Sequence, residues 1–274
     1  MVDSSGFIKV SCVVPTYNNS CSQIYASLNS VLNSRYPVSE LIVVDDGSEN
    51  DFSERVVDQL PMNEHTSIIY HKQSNKGPSS ARNCGVNLAT NDWLVFLDAD
   101  DTLLPDGILS KVSLVEEVSS VSLGGVFGSF IWSDSDRLQV FNSVGRCVDR
   151  DEIGVLGRAP GGLPSYLIRR DVYLSVGGLD ESLIFNEDFD LILRIIARGY
   201  EVRGVSAPGF VRSVNPGSLT RSNMKRSLAG GRVFLRKAWR DELLSKNEVF
   251  RRYSLNLLVS VKYSMISFCE NVLK

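Results

Sequence analysis

Four short apolar runs constrain this chain more than any other feature. Residues 10–14, 41–44, 67–70 and 93–97 are of strand length, and stretches with helical spacing separate them. Short apolar runs bounded by polar turns read as buried strands. Residues 21–33, 52–60 and 78–88 read as the helices between them. Ile24, Leu28, Val31 and Leu32 line one side of the first, and Pro78 opens the third, where its missing N–H costs nothing. Alternating strands and helices imply crossover units and an α/β fold with a Rossmann-like, mainly parallel sheet flanked by helices. Ligands of such sheets bind beyond the carboxyl ends of the strands. Three polar segments stand there: Pro15-Thr16-Tyr17-Asn18, Asp45-Asp46-Gly47-Ser48 and Asp98-Ala99-Asp100-Asp101. Residues distant in sequence are thereby brought to one crevice.

The rest of the chain is less regular. Residues 122–132 and 137–141 read as strands, and the glycine- and proline-rich stretch 154–164 as a loop. Gly177-Gly178 marks a turn. Residues 187–198 form a helix with Leu191, Ile192, Ile195 and Ile196 on its apolar side, Asp190 and Arg194 paired one turn apart, and Gly199 at its end. Asn215-Pro216-Gly217-Ser218 is another turn. The last fifty residues read as helices, the final one over 249–272, with Phe250, Leu257, Val261, Met265, Phe268 and Val272 near one face. The expected organisation is a catalytic domain over 1–220 and a helical C-terminal extension over 221–274.

Composition narrows the function. At 274 residues the chain can bury a full core, and its net charge of -3 argues against a dedicated nucleic-acid binder. Its five cysteines, an odd number without CxxC spacing, indicate neither a disulfide framework nor a zinc site. No signal-peptide pattern and no membrane-length apolar run is present. A cytoplasmic location is expected. The basic, amphipathic C-terminal helices suit the inner face of a membrane, a second subunit or the catalytic domain itself.

The acidic residues carry the chemistry. Asp98, Asp100 and Asp101 follow a buried strand directly, and carboxylates so crowded repel. Alone the cluster reads as a solvated turn. At a strand end beside two other polar ends it reads as a site for Mg²⁺ or Mn²⁺, which prefer carboxylates, waters and substrate phosphates. Asp45 and Asp46 either cap a turn or hold a nucleobase or ribose. Gly77-Pro78 opens a helix with Arg82 one turn in, suited to phosphate or simply a capped helix start. Glu187 and Asp188 open another helix, where a carboxylate offsets the dipole or, beside a metal–phosphate site, deprotonates a sugar hydroxyl.

In this order and spacing, Val14-Pro15-Thr16-Tyr17-Asn18, Val43-Val44-Asp45-Asp46-Gly47-Ser48, Asn75-Lys76-Gly77 to Arg82-Asn83, Phe96-Leu97-Asp98-Ala99-Asp100-Asp101, Gly177-Gly178-Leu179-Asp180-Glu181 and Glu187-Asp188 resemble the family 2 glycosyltransferases. The likeness extends over residues 10–220. It implies a GT-A fold and inverting transfer from a nucleotide-diphosphate sugar, a UDP-sugar foremost, to a saccharide or lipid-linked acceptor, as in bacterial polysaccharide or glycolipid assembly. By that resemblance Tyr17 and Asp46, with Asp45 beside it, contact the base and Pro15 shapes its wall. Arg82 lies near base and diphosphate. Asp98, next to Ala99, approaches the ribose, and Asp100 holds the metal. Asp188 is the catalytic base, with Glu187 at the acceptor side. Relatives often carry a histidine metal ligand within the segment matching 212–220, but this chain has Asn215 there, and its only histidines are His65 and His71.

Two rival classes make different demands. A sugar-nucleotide pyrophosphorylase needs a glycine-rich basic loop after the first strand, where this chain has Pro15-Thr16-Tyr17-Asn18-Asn19. A non-catalytic nucleotide-sugar module would have lost its base, yet Asp188 is present.

Overall fold

The computed structural model describes residues 7–61, 64–133, 162–213 and 224–256. Its strands are β1 (Val10–Thr16), β2 (Glu40–Asp45), β3 (Ser67–Lys72), β4 (Trp93–Phe96), β5 (Thr102–Leu103), β6 (Leu123–Trp132), β7 (Tyr166–Arg169) and β8 (Glu201–Arg212). The helices are α1 (Cys21–Leu32), α2 (Phe52–Asp58), α3 (Pro78–Leu88), α4 (Leu109–Val118), α5 (Arg170–Ser175), α6 (Glu187–Ala197), α7 (Met224–Arg240) and α8 (residues 246–256).

The described strands form one sheet in the order β3-β2-β1-β4-β7-β6-β8-β5. Pairing is parallel through β3-β2-β1-β4, as the alternation of strand and helix requires. The second half is mixed: β7 runs antiparallel to β4 and β6, β8 parallel to β6, and β5 antiparallel to β8. β1, β2 and β4 are covered on both faces, which is why their sequences are apolar throughout rather than alternating. Their side chains still separate by parity. Val13, Ile42 and Val44 face α3 and α6, whereas Cys12, Val14, Leu41 and Val43 face α1.

Local signals explain the helix starts. Ser20 caps α1 by accepting from the Gln23 N–H, and the Gln23 side chain accepts the Ser20 N–H in return. Pro78 is at the first turn of α3, after Gly77 at φ +94°. A Cβ at Gly85 would come within 2.4 Å of Val13, so only glycine lets α3 lie this close on β1. α6 ends as expected at Gly199 (φ +89°), with the Gly199 and Tyr200 N–H groups returning to the Ile196 and Ile195 carbonyls. The Asp190–Arg194 pair also forms.

Several elements depart from the sequence reading. β8 and α4 were not foreseen, and residues 170–175 are helical. The end of the loop expected over 154–164 enters a single 3-10 turn, Leu163–Ser165. The expected strand at 137–141, most of the 154–164 loop, the Asn215–Ser218 turn and the final helix beyond 256 lie outside the described residues, as does the 220/221 boundary. α7 packs Phe234, Leu235 and Ala238 into the core shared by α3 and α6. Its outer face presents Arg236, Trp239 and Arg240, and Phe250 of α8 is 74% exposed. No described helix is long and apolar enough to cross a membrane. Cys12 is buried, Cys84 partly buried and Cys21 exposed, all as free thiols.

Candidate active site

Three chain segments meet at the carboxyl ends of β1, β2 and β4. The acidic pair at the end of β2 ties that end to β3 and to the segment between β3 and α3. Asp45 Oδ1 accepts from the Ser48 N–H at 2.7 Å and its Oδ2 from the Tyr70 hydroxyl at 3.3 Å. Asp46 Oδ1 accepts from Gln73 Nε2 (2.8 Å) and the Lys76 N–H (2.9 Å), and Oδ2 from the Gly77 N–H (2.8 Å). Both carboxyl groups are buried. The pair therefore fixes the loop that leads into α3. A Cβ on Gly47 would lie 2.7 Å from the Asn75 nitrogen, so the two loops touch through glycine. Asn18, at φ +53°, ties the β1 end to the same loop through the Ser48 hydroxyl and the Glu49 N–H. Tyr17 is 49% exposed at the rim of this wall, beside the half-buried Pro15.

The third segment is the acidic turn after β4. The Asp101 N–H closes it on the Asp98 carbonyl at 2.9 Å, and the Ser27 hydroxyl anchors that carbonyl to α1. Ala99 is buried beneath it. Arg82 reaches across from α3, its Nη2 2.6 Å from Asp98 Oδ1 and its Nη1 3.8 Å from Glu187 Oε1. Burial works against ionisation of Asp98, but the Arg82 guanidinium outweighs it and holds the carboxyl below the usual range. Asp101 is pushed up to about 8 by burial and then by the Asp98 charge, despite the Ser213 N–H it accepts at 2.9 Å.

α6 begins opposite the turn. Asn186, at φ +63°, turns the chain so that Glu187 and Asp188 head the helix. Glu187 is pushed up to about 7 by burial and then by Asp188 beside it. Asp188 is raised by burial, while the Phe189 N–H on its Oδ1 (2.7 Å), Arg82 and Arg212 oppose that shift. The buried Tyr166 hydroxyl and the Nε and Nη1 of Arg82 have no hydrogen-bond partner. Buried polar atoms of this kind are uncommon.

Arg212 is the residue sequence reasoning missed. Its guanidinium carbon sits 5.0, 5.4 and 5.5 Å from the ring centres of Phe130, Trp132 and Phe210. Its Nε is 4.0 Å from Asp101 Oδ2. A Cβ on Gly162 would lie 2.8 Å from Arg212 Nη2 and 3.4 Å from Asp188 Oδ2, so both side chains converge on that glycine. The available signal was period two: Phe210 and Arg212 share one face of β8, and Phe130 and Trp132 one face of β6, with Trp132 in register with Arg212.

The carboxylates here would supply at most part of a metal shell. Among the described residues no three His, Cys, Asp or Glu side chains close into a complete cage. Mg²⁺ needs no such cage, because one or two carboxylates and substrate phosphates suffice. Asp98 and Asp100 at the strand end are of that type. Asn215 lies outside the described residues, and His65 and His71 are exposed on and before β3.

A half-parallel sheet with an acidic turn and a helix-borne acid pair at its carboxyl edge defines a GT-A architecture. The comparisons agree. The family model described as glycosyl transferase family 2 matches residues 11–151, and the chain belongs to that family. An uncharacterized glycosyltransferase of Haemophilus influenzae is 28% identical over 194 residues, covering 68% of this chain and 62% of that protein. The chain therefore spans under two thirds of that relative. The succinoglycan biosynthesis protein ExoO of Rhizobium meliloti is 25% identical over 261 residues, covering 86% of this chain and 71% of its own. The S. aureus TarS structure in complex with UDP superposes with a TM-score of 0.68 at 18% identity, over 91% of this chain and 71% of that one.

Proposed function

We propose that this chain moves a sugar from a UDP-sugar to an acceptor hydroxyl with inversion at the anomeric carbon. The observation that carries the reading is the Arg82 bridge. One buried guanidinium joins the Asp98 turn, where a donor diphosphate would lie, to the Glu187-Asp188 helix start, where an acceptor hydroxyl would lie. Family membership and the UDP complex of the TarS neighbour support a nucleotide-sugar donor. Polysaccharide assembly is the setting favoured by the likeness to a succinoglycan biosynthesis protein.

Each step falls to a named group. Tyr17 and the Asp45–Asp46 loop form the nucleotide wall. Asp188 takes the acceptor proton on Oδ2, the oxygen turned away from the Phe189 N–H. The acceptor oxygen bonds to the anomeric carbon as the bond to the diphosphate oxygen breaks on the opposite face. Arg212, whose guanidinium converges with Asp188 on Gly162, would offset charge on the departing diphosphate. Mg²⁺ or Mn²⁺, when bound at Asp100 beside Asp98, would supply further neutralisation of that diphosphate. Burial and the charge of Asp188 raise the Glu187 carboxyl, and burial raises Asp188 as well, a direction that suits a base in an acid pair.

A thermal-shift screen of nucleotide sugars, with and without Mn²⁺, tests the donor assignment. Stabilisation by UDP and one UDP-sugar, larger with Mn²⁺, is expected. No response to any nucleotide diphosphate would overturn it.

A further inference from the structure

The helix that presents Asp188 is held from behind by a charge network, centred on a buried carboxylate, that the proposed chemistry does not use. Asp190, two residues after Asp188, is fully buried. Its Oδ2 is 2.7 Å from Arg194 Nη2, and its Oδ1 is 2.7 Å from Lys237 Nζ on α7. Lys237 lies equally close, 2.7 Å, to Asp180 Oδ2 in the loop before α6. Arg194 donates to the Val176 and Gly178 carbonyls of that loop. From its other side Asn83, the neighbour of Arg82, donates to the Leu179 carbonyl and accepts the Leu179 N–H. Loop, α6 and α7 therefore share one ionic node, to which α7 contributes Lys237.

Two features make this more than packing. First, Asp190 adds a negative charge to a helix start that already carries Glu187 and Asp188. A buried carboxylate keeps its charge only if paired, and here two cations share it. Second, the node fixes the loop that sets the entry angle of α6, because Asp180 and Asp190 are joined through one ammonium. Catalytic groups tolerate little misplacement; a shift of about 1 Å can cost ~10²-fold in rate.

We propose that Lys237 is a positioning residue for Asp188, so that α7 is a working part of the transfer site. This rests on the reading of Asp188 as the base. The groups facing Asp188 are Glu187 on its own helix, Arg82 from α3, Arg212 from β8 and Tyr166 from β7. Lys237 acts on that set from the far side, by cancelling Asp190.

The test compares wild type with Lys237→Met, Lys237→Arg and the double variant Lys237→Met/Asp190→Asn, which removes the buried charge together with its partner and so protects folding. The readouts are UDP affinity, turnover of the UDP-sugar returned by the donor screen, and the ¹³C carboxyl titration of Asp188, assigned by its absence in Asp188→Asn. Lys237→Met should keep UDP affinity within about twofold while kcat falls roughly tenfold or more, and its Asp188 midpoint should rise. Lys237→Arg should recover most of the rate. The double variant should restore the midpoint but not the rate, since the tether is still cut. A folded Lys237→Met or double variant with near-normal kcat would overturn the proposal, as would an unmoved Asp188 midpoint in Lys237→Met. Full turnover by Asp188→Asn would instead overturn the base assignment, a separable result.

Discussion

Arg82 Nη2 lies 2.6 Å from Asp98 Oδ1, and through this contact the helix after β3 grips the turn after β4. The guanidinium is 8% exposed and also faces Glu187. Replacing Arg82 by Met would leave the Asp98 and Glu187 carboxyl groups facing each other without the cation between them. The variant should lose about 3 kcal/mol of stability in urea denaturation, the low end for breaking a buried pair, because Asp98 is 31% exposed. It should also bind UDP weakly. A loss under about 0.5 kcal/mol with UDP affinity intact would mean that the bridge is incidental.

Asp46 accepts two backbone N–H groups and one side-chain N–H, leaving its carboxylate little capacity for a ligand. Asp46→Asn keeps the shape but turns an amide toward one of those donors. It should cost about 1–3 kcal/mol, the penalty for an unmade buried hydrogen bond, and weaken UDP binding by loosening residues 73–77. Undiminished stability with lost UDP affinity would favour a direct contact with the nucleotide instead.

Glu187 gives the fold a pH dependence of defined sign. Its folded pKa, about 7, stands above the ordinary 4.5. The folded state therefore binds the proton more tightly than the unfolded chain. Its stabilising contribution is full below about pH 4.5 and is lost as pH rises through about 7. Asp101, raised to about 8, acts in the same direction. Glu187→Gln should flatten this decline, gaining at most about 3 kcal/mol over wild type above pH 7. Parallel stability curves for the two proteins between pH 5 and about 8 would contradict the assignment.

Asp100 should separate metal from nucleotide. In Asp100→Ala the thermal response to UDP should lose its Mn²⁺ dependence while the unliganded protein keeps its melting temperature. A full Mn²⁺ increment in that variant would place the ion elsewhere.

Much of this site was legible because it sits on the most regular part of the chain. Residues 10–14, 41–44 and 93–97 are buried on both faces, so continuous apolarity revealed them, and the polar ends followed. Gly77-Pro78 and Gly199 marked helix ends by backbone chemistry alone. β8 was hidden because Glu201–Arg212 is neither continuously apolar nor cleanly alternating, and Gly204, Pro208 and Gly209 interrupt it. With β8 went Arg212 and its aromatic cage. The partners of Asp46 were hidden for another reason. They are backbone N–H groups of a distant loop, and no side-chain pattern encodes them. Lys237 looked like one basic residue among many, since its two carboxylates lie 57 and 47 positions away in sequence.

The most direct test of the whole account is the turnover of Asp188→Asn beside wild type, with the UDP-sugar returned by the donor screen. The substitution keeps the Phe189 N–H bond to Oδ1 and removes only the basic oxygen. The expected result is a kcat lower by roughly 10²-fold or more, with UDP affinity little changed and a wild-type product of inverted anomeric configuration. A kcat within a few-fold of wild type would contradict it and move the base to another group, Glu187 first.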